Sequence, residues 1–188
     1  MKKWRLAKSL EVLLKEVNSL FPNREKHHDG TIGDQAHQAR FSDHNPNAEG
    51  VVCAVDITHD PKSGADMGKI SDYIAKNPHP NLDYIIFNKR IASRNNGFTW
   101  KPYYGQNPHD KHMHVSVGFP WGYTGRKKAG SDSVLSYDST ASWELKAIIQ
   151  SKQKIKIIVN DKLMYTVEAT NPKVKWDDKQ LKLYIYDK

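Results

Sequence analysis

His112-Met113-His114-Val115-Ser116-Val117 places two imidazoles two residues apart in a run of strand-forming residues. A strand sends alternate side chains to opposite faces, so both rings share one face while Met113 and Val115 take the other. A second β-branched run, 51–57, carries Asp56 on the face of Val52 and Ala54. A carboxylate set among small and apolar neighbours needs a charge partner. Upstream of it, Ser42-Asp43-His44-Asn45-Pro46 offers a third imidazole from a loop. Two ring nitrogens and one carboxylate oxygen, with the fourth position left to water, form the donor set of a hydrolytic zinc site; four protein ligands would close it. A cation so held lowers the pKa of water toward about 7 and polarises a scissile carbonyl, so neither a serine nor a cysteine nucleophile is required. An H-x-H alone is more often a solvated face or a pair of core histidines, and a lone buried aspartate more often a cap. The combination, in this order, favours a metal.

The elements that must position these residues can be read in outline. Apolar residues Leu6, Leu10, Leu13, Leu14, Val17 and Leu20 recur at three- and four-residue intervals, which predicts an amphipathic helix over 4–20, closed by Phe21-Pro22-Asn23. Residues 24–49 are polar and rich in His, Asp and Asn, with Gly30 and Gly33 as breakers, and read as a long loop of the kind that is usually functional. Strands are expected over 51–57, 83–88 and 112–117, a helix over 67–76, and a loop over 95–108. These make a small α+β domain over residues 1–125, an antiparallel sheet with flanking helices. The Lys, Gly, Ser, Asp and Thr of 126–142 have the composition of a linker. Beyond it, 143–188 is expected to be a small mainly β module with strands over 154–159, 163–167 and 181–186, and Asn160-Asp161 as a hairpin turn.

About residues 30–117 resemble the M15 family of zinc metallopeptidases. These are D-Ala-D-Ala carboxypeptidases and L-alanyl-D-glutamate endopeptidases, within the wider group that shares a zinc site with lysostaphin and hedgehog. The family hallmark is S-x-H-x-x-G-x-A-x-D, followed later by H-x-H or by an acid three residues before a final His. Ser42-Asp43-His44, Gly50, Ala54-Val55-Asp56 and His112-Met113-His114 resemble it. The resemblance implies a hedgehog/D-Ala-D-Ala peptidase-like fold and a Zn²⁺ ion held by His44, Asp56 and His114. The chain departs from the pattern twice. The interval from His44 to Asp56 is longer, implying an outward loop over 45–49. Lys111 also stands where many members carry a Glu or Asp base, which leaves His112 to take a proton or to stabilise the oxyanion. Asp110 is expected to orient His112 or to act as the base itself, and Arg40 to play the part of the family's arginine on an oxyanion or a substrate carboxylate.

Composition narrows the class further. Twenty-nine basic against 21 acidic residues give a net charge of +8, which favours a polyanion: nucleic acid, or the phosphate polymers and acidic peptides of a bacterial wall. The single cysteine, Cys53, cannot form an internal disulfide, and its apolar neighbours predict a buried, inert thiol. The basic start, Met1-Lys2-Lys3-Trp4-Arg5, is followed by no signal-peptide apolar core, and no stretch is long enough to span a membrane. The chain is thus expected to be made in the cytoplasm and to act on the wall after holin-dependent release, as a phage or prophage endolysin that cuts peptidoglycan peptides. Its tail is expected to bind a wall polymer, and no nucleic-acid partner is expected. Two other readings stand beside this one: a metal-dependent nuclease, disfavoured because Mg²⁺ prefers oxygen ligands, and a zinc-containing module that binds without cutting. Of the remaining histidines, His27, His28, His37, His79 and His109 read as surface or loop residues, and His59 stays open. Trp100, Tyr103, Tyr104 and Trp121 read either as a substrate groove or as core.

Overall fold

The computed structural model describes residues 4–33, 42–47, 49–118, 138–150, 153–159, 162–169, 172–177 and 182–187. It divides into two compact units, Met1–Trp143 and Glu144–Lys188. The first is α+β. Strands β1 (Arg5–Leu6) and β2 (Val51–Val52) form a short parallel pair. Strands β3 (Ala54–Thr58), β4 (Leu82–Phe87), β5 (Arg90–Ser93), β6 (Lys101–Pro102) and β7 (His112–Val117) form one antiparallel sheet in the order β3-β7-β4-β5-β6. Helices α1 (Lys8–Leu20) and α2 (Met67–Lys76) pack on it.

The helix expected over 4–20 begins later, at Lys8. Residues 5 and 6 are extended because backbone partners wait for them: Arg5 N donates to Gly50 O at 3.0 Å and Ala7 N to Val52 O at 2.9 Å. The run expected as one strand over 51–57 is two strands that separate at Cys53, β2 pairing with β1 and β3 with β7. Cys53 is fully buried at that junction, and burial pushes its thiol pKa up to about 12, so it is a packing residue. Helix α2 starts where Asp66 accepts from Gly68 N and Lys69 N, the reciprocal of an N-terminus with unpaired donors.

Strand β5 lies between the strand expected over 83–88 and the loop expected over 95–108, where no element was expected. Asn88 and Lys89, with φ of 48° and 59°, make a two-residue turn that returns the chain alongside β4. Both central residues of a type I′ hairpin turn require positive φ, and its twist matches the flanking strands.

Register decides which residues share a face. Val55, Val115, Ile85 and Ala92 stand side by side across β3, β7, β4 and β5 and are fully or almost fully buried. With Ile57 and Met113 they form the apolar face. Helix α2 covers this side, since a methyl at Gly68 would touch the Phe87 ring at 3.5 Å. The other face carries the row Asp56-His114 and the row Ala54-Ser116-Tyr84. A bulge in β4 between Leu82 and Tyr84 produces that second row: Leu82 pairs with Val117, and Tyr84 rather than Asp83 then stands opposite Ser116.

Residues 138–143 close the first unit. Asp138 forms an ion pair with Arg5, Glu16 accepts from Ser142 Oγ and Trp143 N, and Trp143 Nε1 donates to Ser9 O at 2.8 Å. Trp143 is buried and stacks on His79 with ring centroids 4.4 Å apart. The end of the region expected as a linker is thus anchored to α1; residues 126–137 lie outside those described. The second unit holds helix α3 (Lys146–Gln150) and two antiparallel pairs, β8 (Gln153–Val159) with β9 (Lys162–Ala169) and β10 (Pro172–Asp177) with β11 (Lys182–Asp187). The pairing of Val159 with Lys162 brackets the expected Asn160-Asp161 turn, which itself lies outside the described residues. Strand β10 was not expected from the sequence.

Candidate metal centre

His44, Asp56 and His114 converge, each offering one ligand atom within 4.8 Å of the others, and could hold a metal ion. Asp56 and His114 meet because they are direct cross-strand partners in the β3–β7 ladder, where opposite side chains on one face lie within contact distance. His114 Nδ1 is 2.9 Å from Asp56 Oδ1. His44 arrives from the loop, its Nε2 3.2 Å from His114 Nδ1 and 3.4 Å from Asp56 Oδ2.

The loop is held by its own backbone. Ser42 Oγ accepts from His44 N, Asn45 N donates to Ser42 O, Gly33 N to His44 O, and Cys53 N to Asp43 O. The longer interval between His44 and Asp56 is taken up by a turn that Asn47 closes, its Oδ1 accepting from Glu49 N and Val51 N at 2.9 and 3.0 Å. Facing it, Gly30 is bonded in both directions to the backbone of Asp56. That stretch is pinned by Asp29, which accepts from Thr58 N and Oγ1 and pairs with the fully buried Arg24 side chain.

The donor set fits a cation. His44 Nδ1 lies 2.7 Å from Thr31 O, a carbonyl that can only accept, so this nitrogen carries a proton and Nε2 is the atom turned inward. His114 Nε2 lies 2.9 Å from Ser116 Oγ, which turns Nδ1 inward. Outer N–H groups tied to oxygen acceptors are how metal-ligating histidines are usually oriented. Burial alone would raise the Asp56 carboxyl, but hydrogen bonds from His114 and His44 outweigh it and hold it well below the usual carboxylate range. Burial would lower His44, and the Asp56 hydrogen bond and charge override it, raising this imidazole above its ordinary value. Both directions describe a carboxylate in want of positive charge.

His112 stands beside the three. Its Nε2 is buried, lies 3.6 Å from Asp56 Oδ2, and makes no hydrogen bond among the described residues. Burial, with Asp56 opposing, lowers its pKa, which keeps the ring neutral near pH 7. Asp110, expected to orient His112 or serve as base, is exposed and outside the cluster; the carboxylate that faces His112 is Asp56. Arg40, His37 and Trp121 lie outside the described residues. A cleft of about 220 Å³ opens onto the site, lined by His28, Gly30, Ile32, Gly33 and His112 among others.

Other histidines fall differently from expectation. His109 is buried, its ring 5.1 Å from that of His112 and 5.5 Å from that of His114. Burial, then the charges of His114 and His112, push its pKa down to about 4. His79 is also buried, under Trp143. His59 Nδ1 accepts from Met67 N at 3.1 Å and so helps to start α2. Tyr104 is 91% exposed and Trp100 lies under the Arg90 guanidinium, so neither is core. His109 was missed because nothing in Asn107-Pro108-His109 has a strand period; its position depends on a left-handed backbone, φ 53°, visible only in three dimensions.

Comparison with family models, with curated proteins and with solved structures found no match. The functional reading therefore rests on the site itself and on the motif resemblance. No helix among the described residues is long and apolar enough to cross a membrane.

Proposed function

We propose that this chain is a zinc-dependent peptidase that hydrolyses peptide bonds of bacterial peptidoglycan, as a phage-type endolysin released to the wall. The observation that carries the reading is the convergence of two inward ring nitrogens and one carboxylate beside an open cleft, with a fourth side chain, His112, whose buried Nε2 makes no hydrogen bond among the described residues. Two nitrogens and one oxygen suit zinc better than the hard cations, which prefer all-oxygen sites. When bound, zinc supplies a Lewis acid that acidifies water and polarises a carbonyl.

The chain's own residues do the rest. His112 Nε2 accepts the proton of the attacking water and returns it to the leaving amine, and Asp56 beside it stabilises the imidazolium so formed. His44 and His114 are held in fixed orientations by Thr31 and Ser116, so little reorganisation accompanies the reaction. Gly30 and Gly33 leave room for a peptide backbone, and Ile32, 40% exposed, offers an apolar contact to its side chains. The positive charge draws the acidic wall, and the second unit is assigned the binding of a wall polymer.

The test is digestion of purified peptidoglycan, read as new amino termini and as muropeptide masses, with zinc and with a chelator. Zinc-restored release of amino termini is expected. Degradation of DNA instead would replace this reading with a nuclease, and zinc uptake without cleavage of either would leave a binding module.

A further inference from the structure

We propose that Asp43, which is not one of the three converging ligands, is the positioning residue that sets the tautomer of His114 by way of Ser116. The inference rests on the reading of His114 as a metal ligand. Ser116 Oγ has one hydrogen and donates it to Asp43 Oδ2 at 2.6 Å. Toward His114 Nε2, 2.9 Å away, the same oxygen can therefore only accept. The imidazole must therefore carry a proton on Nε2, and a cation arriving beside Asp56 and His44 meets Nδ1, with at most that nitrogen's own proton to displace. Tyr84 OH donates to the same Asp43 Oδ2 at 2.6 Å, and its ring lies nearly parallel to that of His114 with centroids 5.4 Å apart. Burial first, and then the charge of Asp43, raise the Tyr84 pKa well above its ordinary value, so it stays a donor.

A carboxylate at the end of this chain can only accept, and that gives the chain its direction. An amide in its place has two N–H donors: it can donate to Ser116, which then turns its own proton toward His114 Nε2 and drives the ring proton inward, onto the atom that should bind the cation. The geometry depends on features outside the ligand motif: the strand period that puts Ser116 on the face of His114, and the β4 bulge that puts Tyr84 opposite Ser116. Asp43 itself is buried, its backbone carbonyl tied to Cys53 N at 3.1 Å.

The experiment measures zinc affinity of the full chain by competition with a chelator, for the wild type, Asp43→Asn, Ser116→Ala and the double variant, together with ¹⁵N shifts of His114 in the zinc-free proteins. Each single variant is expected to bind zinc about 10–100-fold more weakly. The double variant is expected to be no weaker than the worse single one, since both changes cut one chain. Wild-type His114 is expected to keep a proton on Nε2 and the variants to lose that bias. Ser116→Ala removes a single oxygen and carries the test if Asp43→Asn does not fold. Losses that multiply in the double variant, or affinities within about twofold of the wild type, overturn the proposal. A wild-type chain that takes up no zinc overturns the ligand reading itself and this proposal with it.

Discussion

At the scale of single residues, the division of labour between the two histidines of β7 is sharp. His114 faces Asp56 and His44, whereas His112 Nε2 lies 3.6 Å from Asp56 Oδ2 and makes no hydrogen bond among the described residues. His114→Ala is therefore expected to lose both zinc and activity. His112→Ala is expected to keep zinc and lose about 10²–10⁴-fold in kcat, the usual contribution of a general base. Metal content and steady-state rates on the same preparations check this, and an active, zinc-free His114→Ala would contradict it. The trio was legible in the sequence because H-x-H obeys the strand period and because Ser42-Asp43-His44 and Asp56 follow in motif order. Ser116 and Tyr84 were not legible as part of the site: their place beside His114 depends on cross-strand register and on one bulge, and neither leaves a mark on the local pattern.

At the scale of elements, β7 separates stability from chemistry by its alternation. Met113 and Val115 are fully buried on the apolar face, while His112, His114 and Ser116 take the other. Met113→Ala is expected to cost about 2–5 kcal/mol of stability through lost burial and the cavity left behind. Zinc affinity should change little, because no side chain of the site is touched. Urea unfolding and chelator competition measure the two quantities, and a large loss of affinity with unchanged stability would contradict this separation. The β-branched run at 51–57 was readable as extended, but not its division at Cys53, because the switch of partner from β1 to β7 is a tertiary event. Strand β5 went unread because it is four residues long and follows a turn, Asn88-Lys89, without glycine. The helical period of Leu10, Leu13 and Val17 was right, and only its first turn lost out to a strand pairing with β2.

At the scale of the whole molecule, the segment 138–143 fastens the first unit through Trp143 on His79. Burial lowers the His79 pKa, with the Ala141 carbonyl and Glu16 opposing. The unfolded chain therefore takes up the proton first as pH falls below about 6.5, and the stability this residue contributes, present above that pH, declines toward acid. The melting temperature of the wild type is expected to fall more steeply between neutral and mildly acid pH than that of His79→Gln, and equal slopes would contradict it. The division into two units falls at residues 143 and 144, at the far end of the segment read as a linker, because Trp143 is anchored to α1 by a bond that composition does not advertise. The proposed function requires one zinc ion among three side chains drawn from a loop and two strands. Anomalous scattering at the zinc edge, from crystals of active protein, would locate it. A single peak enclosed by His44 Nε2, His114 Nδ1 and an Asp56 oxygen is expected. Active protein with no peak there, or with its only peak elsewhere, would contradict it.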